Sequence, residues 1–117
     1  MAKIIAPVVT IFNEEEKPDY AGNKKGIDFL IEGGLDGILV LGSAGEFPDL
    51  NEQERLDFFR FYAEYVNGRV ELLAGTGCIR YADTLALSNA VYELGYTPMV
   101  ISPYYFEMDQ EKLFVYY

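Results

Sequence analysis

The sequence predicts an α/β domain assembled from parallel strand–helix units. Four short, near-continuous apolar runs mark the strands: "IIAPVVTIF" at 4–12, "GILVLG" at 37–42, "VELLAG" at 70–75 and "PMVIS" at 98–102. None alternates cleanly between apolar and polar residues, which is the pattern of strands in a parallel sheet covered on both faces. A helix-length segment follows each run, so the chain repeats about every 30 residues, the size of one strand–helix unit. Two architectures use this pattern, an open doubly wound sheet or part of an eight-stranded barrel, and periodicity alone does not choose between them.

The helices carry their own punctuation. The first is expected over Tyr20 to Glu32, burying Ile27, Leu30 and Ile31 before the pair Gly33-Gly34. The second is expected to start behind Asn51 as N-cap, with Glu54 at the reciprocal capping-box position. Leu56, Phe59, Ala63 and Val66 then fall on one face, and Gly68 ends the helix in a left-handed turn. The third runs from Tyr81 to Leu94, with Leu87, Val91 and Leu94 inward and Gly95 as terminator. A fourth begins at Asp109, where Met108 and Leu113 occupy the two positions of a hydrophobic staple. It breaks off in "LFVYY", an apolar patch that reads as the edge of a fragment.

Composition narrows the function. The 117 residues hold 9 Lys plus Arg against 19 Asp plus Glu, a formal charge of −10. That balance repels a phosphate backbone and an anionic lipid surface, so neither nucleic acid nor membrane is the expected partner. The apolar runs fall far short of the roughly 18 residues of a membrane span. Pro7 interrupts the first run and no small-residue cleavage site follows, so it reads as a strand and not a signal peptide. Glu14-Glu15-Glu16 reads as a solvated loop. The single cysteine, Cys78, forms no internal disulfide, which suits a reducing, cytoplasmic setting. Histidine is absent, which removes Ser-His-Asp and Cys-His catalysis and the usual zinc sites.

In either architecture the chemistry gathers at the C-terminal ends of the strands. Those ends are Thr10, then Gly42-Ser43-Ala44-Gly45-Glu46, then Gly75-Thr76-Gly77, then Ser102-Pro103-Tyr104-Tyr105. Gly42 and Gly45 allow a sharp turn in which successive amides point at a small anion, with the Ser43 hydroxyl as a further donor. The plainer reading is a tight strand-to-helix turn with Glu46 hydrogen-bonded to nearby amides. "GTG" at 75–77 fails as a dinucleotide fingerprint because Arg80 stands where the third glycine belongs, and no Walker sequence is present. A phosphate-receiver site needs acidic strand ends, whereas Thr10 and Thr76 stand there. From the residues alone, Tyr104 and Tyr105 read equally well as packing residues, and Cys78 and Arg80 read as structural.

Taken together, "APVVTIF", "GGLDGILVLGSAGEFPDLNEQER", "VELLAGTG" and "SPYYFEMDQEKL" resemble the dihydrodipicolinate synthase and N-acetylneuraminate lyase family over the whole chain. The resemblance implies a (β/α)8 TIM barrel of which residues 1–117, the first four units, form the N-terminal portion of a single domain. It implies a class I lyase or aldolase that joins a pyruvate-like 2-keto acid to a lysine as a Schiff base, with no cofactor and no metal. By the same resemblance the Ser43 and Ala44 amides and the Ser43 hydroxyl hold the keto acid's carboxylate, with Gly42, Gly45 and Glu46 supporting the turn. Ser43 and Tyr105 match the family's proton relay, and the tyrosine reaches a neighbouring subunit's site, so a homo-oligomer, usually a tetramer, is implied.

Two departures matter. Synthases of the family often carry two threonines where this chain has Ser43-Ala44, which favours an aldolase acting on sugar acids or other 2-keto acids. The family's imine-forming lysine and principal catalytic tyrosine lie on strands six and five, outside the four units present. Lys3, Lys17, Lys24, Lys25 and Lys112 do not stand at strand ends, and the 117 residues by themselves are expected to be inactive. The alternative is a non-catalytic half-barrel that works through self-association or binding, since four parallel strands with open edges invite pairing.

Overall fold

The order of the strands separates the two architectures. In the computed structural model, which describes residues 2–117, β1 (Ile5–Pro7), β2 (Gly37–Val40), β3 (Glu71–Gly75) and β4 (Thr97–Met99) form one parallel sheet in the order β1-β2-β3-β4. Pro7 pairs with Leu39, Leu39 with Leu73, and Leu73 with Thr97, so each strand is hydrogen-bonded to the next in sequence. A doubly wound sheet reverses its order at a switch point. Unreversed order with right-handed crossovers places every helix on one face, which is the arrangement of a half-barrel.

The helices α1 (Tyr20–Glu32), α2 (Glu52–Val66), α3 (Tyr81–Glu93) and α4 (Gln110–Tyr116) follow the four strands in turn. Ile38, Val40, Leu72 and Ala74 pack beneath Ile27 of α1, Phe58, Phe59, Tyr62 and Val66 of α2, and Leu87 and Val91 of α3. The other face of the sheet is open: Ile5, Met99 and Ile101 are 40 to 44% exposed.

Local chemistry explains the helix ends. Asp19 caps α1 by accepting the Gly22 amide at 3.0 Å. The expected capping box of α2 is complete, with Asn51 Oδ1 accepting the Glu54 amide and Glu54 Oε2 accepting the Asn51 amide, both at 2.9 Å. At its other end Asn67 enters the left-handed region first, at φ 45°, and Gly68 follows at φ 75°. The buried face of α2 differs from the expected one. Arg55, Phe58 and Tyr62 are buried beside Phe59 and Val66, whereas Leu56 and Ala63 are only partly covered. The helix therefore turns a wider face inward, because the loops at the strand ends cover its first turn as well.

Strand β1 is much shorter than its apolar run. Val8 still donates to the Leu39 carbonyl at 3.0 Å. Beyond it the chain leaves the sheet, because the side chain of Asn23 on α1 satisfies its backbone. Asn23 Oδ1 accepts the Ile11 amide at 3.2 Å and the Tyr62 hydroxyl at 3.3 Å. Its Nδ2 donates to the carbonyls of Ile11 at 2.9 Å and Asp19 at 2.7 Å. Asn23 is 1% exposed, so its own polar atoms depend on these partners and not on water.

Two expectations follow from these buried polar groups. Asn23→Leu keeps the branched shape but strands the Ile11 amide, and it should cost about 2–4 kcal/mol. The check is a lower denaturant midpoint at unchanged slope; a loss under about 1 kcal/mol would show that water replaces the side chain. Tyr62 and Tyr96 report on pH. Burial pushes both phenols well above their ordinary value, and the Tyr62 charge adds to the shift at Tyr96. The folded state then keeps protons that the unfolded chain releases above about pH 10, so stability is intact below that pH and falls above it. Tyr96 donates to the Phe59 carbonyl at 2.6 Å, and Tyr96→Phe should remove about one proton from the alkaline slope of the denaturation midpoint.

Candidate functional site

At the end of β2 the backbone makes an unusual turn. Leu41, fully buried, stands at φ 52°, and Glu46 stands at φ 54°. The glycines expected to supply the turn's freedom do not do so; Gly42 has φ −74° and ψ −171°. Their contribution is space. A Cβ on Gly42 would lie 3.2 Å from Leu39 Cδ2, and one on Gly45 would lie 3.2 Å from the Val8 carbonyl oxygen. The tightest approach is made by Gly75 on β3. A Cβ there would collide with the Leu41 carbonyl oxygen and lie 3.1 Å from the Gly42 nitrogen. The left-handed kink at Leu41 thus fits only over a residue without a side chain.

Past the kink, Ser43–Gly45 forms one turn of 3-10 helix, with Gly45 donating to the Gly42 carbonyl at 2.9 Å and Glu46 to the Ser43 carbonyl at 3.1 Å. Thr10 fastens the turn to the end of β1, its buried hydroxyl donating to the Gly45 carbonyl at 2.6 Å. These bonds leave the Ser43 and Ala44 amides and the Ser43 hydroxyl without a partner among the described residues, at an exposed position. First-turn amides have no acceptor within their own helix. Two of them in succession beside a hydroxyl can hold a small anion such as a carboxylate without any formal charge. Glu46 is exposed and its carboxylate makes no hydrogen bond among the described residues, so the turn is held by Thr10 and the backbone instead.

Tyr105 lies in the loop after β4, at the same end of the sheet. It is 71% exposed, its ring meets Phe106 edge-on at 4.9 Å, and no hydrogen bond joins its hydroxyl to Ser43. Its neighbour Tyr104 makes the connection between the loops, its ring meeting Phe47 at 5.8 Å. Thr76, at the end of β3, bonds the Ser88 hydroxyl at 2.7 Å. Arg80 is exposed and paired with Asp83 at 3.3 Å.

Sequence reasoning misses Arg55 and Phe47. Arg55 is 5% exposed and donates to the Gly75 carbonyl at 2.7 Å, the Gly77 carbonyl at 3.4 Å and Cys78 Sγ at 3.2 Å. Its guanidinium lies 5.0 Å over the Phe47 ring. The only sequence signal is an arginine next to Leu56 in the first turn of an amphipathic helix, a place where arginine usually faces solvent.

All five lysines are exposed. Lys3 pairs with Glu71 at 2.6 Å, Lys17 pairs with Glu54, and Lys112 pairs with Asp109 at 3.2 Å. Lys24 and Lys25 are on α1, and no lysine is on a strand. Among the described residues no His, Cys, Asp or Glu cluster is arranged to hold a metal ion, and no helix is long and apolar enough to cross a membrane.

The fit between Leu41 and Gly75 gives a sharp expectation. Gly75→Ala should destabilise the chain by roughly 3 kcal/mol or more, because backbone and not a flexible side chain must move. Gly34→Ala is the control: it stands at φ 88° with nothing near its added Cβ, and it should cost only about 1 kcal/mol. Equal losses in thermal or denaturant melts would show that the β2–β3 approach relaxes freely.

The sequence profile of the dihydrodipicolinate synthetase family matches residues 1–117. A 4-hydroxy-tetrahydrodipicolinate synthase of Lactobacillus acidophilus is 35% identical over 106 residues, 88% of this chain and 34% of that protein. A putative 2-dehydro-3-deoxy-D-gluconate aldolase of Escherichia coli K12, YagE, is 39% identical over 115 residues, 97% of this chain and 38% of that protein. The crystal structure of YagE in complex with pyruvate superposes with a TM-score of 0.92 at 38% identity, covering 97% of this chain and 39% of that one. N-acetylneuraminate lyase from Mycoplasma synoviae superposes with a TM-score of 0.89 at 33% identity, covering 97% and 41%. The chain therefore spans well under half the length of the relatives it matches, and the four-stranded sheet is a half-barrel of their TIM-barrel fold. By its sequence and its fold, the chain belongs to the dihydrodipicolinate synthetase family.

Proposed function

We propose that residues 1–117 are the N-terminal portion of a single TIM-barrel domain acting as a class I lyase on a pyruvate-like 2-keto acid. The observation that carries this reading is the pair of unpartnered amides at Ser43 and Ala44 beside the Ser43 hydroxyl. They have the spacing and neutrality to receive a keto acid's carboxylate despite the chain's formal charge of −10. Support also comes from the E. coli relative, whose structure contains pyruvate at 38% identity to this chain. The Ser43 hydroxyl then holds and passes a proton, and Tyr105 extends the relay. Its exposure suits a side chain that completes a neighbouring subunit's site in a homo-oligomer. Ala44 lacks the hydroxyl of a threonine, and the site is better matched to an aldolase for sugar-derived or other 2-keto acids than to a strict synthase. No cofactor takes part, and the setting is cytoplasmic. Because imine chemistry needs a desolvated lysine, and all five here are exposed, the imine-forming lysine lies outside these residues.

Borohydride reduction in the presence of pyruvate tests the reading. The protein that carries these residues together with strands five to eight should gain the mass of one reduced pyruvate adduct per lysine site, whereas the 117-residue chain should gain none. In that longer protein, Ser43→Ala and Tyr105→Phe should each lower kcat by about 10²-fold or more. Unchanged turnover in both would remove these residues from the relay.

A second reading is favoured by the open face of the sheet. Ile5, Met99 and Ile101 line it, and α4 presents Phe114 and Val115 at 87% and 83% exposure. A half-barrel with this much apolar surface would act by self-association or binding. Sedimentation of the 117-residue chain decides: a discrete oligomer supports self-association, and a molten or aggregating chain removes this reading.

A further inference from the structure

We infer that Arg55 is a positioning residue for the carboxylate site, clamping the loops after β2 and β3 and holding an unneutralised positive charge beside the turn that carries the Ser43 and Ala44 amides. This rests on the reading of those amides as the carboxylate's donors. Of the nine lysines and arginines, Arg55 alone is buried. A buried charge is costly unless it is paired. Yet no carboxylate pairs with Arg55 among the described residues, and the other ion pairs are all made by exposed cations. Its acceptors are the Gly75 and Gly77 carbonyls and Cys78 Sγ, and its Nε is buried without any partner.

A clamp needs no charge. A neutral amide can bridge carbonyls, and apolar packing can replace a buried ion at little cost. What the guanidinium adds is a charge, and the contacts fix where it sits. Arg55 Nη2 holds the Gly75 carbonyl at 2.7 Å, and Gly75 is the residue whose Cβ position lies 3.1 Å from the Gly42 nitrogen, one residue before the free amides. The guanidinium face lies on Phe47, which meets Tyr104 in turn, so the β2, β3 and β4 loops are joined through Arg55 and Phe47. With no carboxylate consuming it, the charge is available to an anion bound at Ser43 and Ala44. Buried charges are screened only weakly by salt, so this contribution persists where surface charges fade. It offsets the repulsion that a chain of charge −10 imposes on a keto acid.

The test is a titration of the isotope-labelled protein that carries these residues together with strands five to eight, with pyruvate and, separately, with its neutral amide, pyruvamide, following the Ser43 and Ala44 amide signals. Arg55→Met should weaken pyruvate binding roughly tenfold while leaving pyruvamide unchanged. Arg55→Lys, which keeps the charge but not the fork, should recover most of the loss. Should Arg55→Met unfold, the wild-type protein answers alone: its preference for pyruvate over pyruvamide should change less than about twofold between low and high salt. If pyruvate moves neither amide in the folded wild-type protein, the carboxylate reading fails and this inference with it. If pyruvate binds equally to wild type and Arg55→Met, the donors stand and the charge has no role. Parallel losses for pyruvate and pyruvamide in both variants would reduce Arg55 to a structural clamp and overturn the inference.

Discussion

The Leu41 carbonyl sits against Gly75, and most of the geometry at the strand ends follows from that approach. A buried leucine in the left-handed region costs about 1–3 kcal/mol and persists only where its surroundings leave no other conformation. Here the surroundings are β3 on one side and the fully buried Leu41 side chain in the core on the other. The kink ends β2 and redirects the backbone into the Ser43–Gly45 turn, so that two amides emerge toward solvent without acceptors. Had the strand simply continued, those amides would have entered the sheet's hydrogen bonding and been unavailable to a ligand. The strain and the donors therefore have one cause.

Three buried polar side chains hold this arrangement in place, and each works by satisfying backbone that the sheet leaves behind. Thr10 binds the Gly45 carbonyl, Asn23 takes both backbone groups of Ile11, and Arg55 takes the carbonyls after β3. Short strands make these necessary. With only three residues of β1 in the sheet, the chain beyond Pro7 has backbone groups with no ladder partner, and leaving them unpaired in the core would cost more than the bonds themselves return. The polar core is thus a consequence of strand length.

The same distinction between local and distant partners explains what is legible in the sequence. The strand–helix repeat, the capping box at Asn51 and Glu54, and the terminators Gly68 and Gly95 all depend on neighbouring residues, and local patterns report them, missing only that Asn67 turns left-handed before Gly68. The parallel order β1-β2-β3-β4 is legible only through the family's motifs, because periodicity is the same for wound sheets and barrels. Arg55 and Asn23 escape sequence reasoning because their partners lie 20 to 23 residues away for the first and up to 39 for the second. An arginine or asparagine on a helix looks solvent-facing until the loop that covers it is known. The glycines at 42 and 45 do stand in the turn, but they serve it differently than their residue type suggests. The positive φ angles fall to Leu41 and Glu46, and the glycines make room.

Strand-end geometry also accounts for a composition that signals no catalysis. Holding a carboxylate needs only correctly aimed neutral donors, and backbone amides supply these without any titratable side chain. Making an imine needs a lysine whose charge is suppressed by burial, and burial of that kind requires a closed barrel mouth. A half-barrel with an open inner face can preorganise the donors and cannot create the environment for the lysine. On the proposed reading its chemistry-bearing residues are a serine, an alanine's amide and an exposed tyrosine; all five lysines are exposed, and Lys3, Lys17 and Lys112 stand in surface ion pairs. On the proposed reading, anion holding therefore falls to the first strands and bond making to a lysine that only a closed barrel can desolvate.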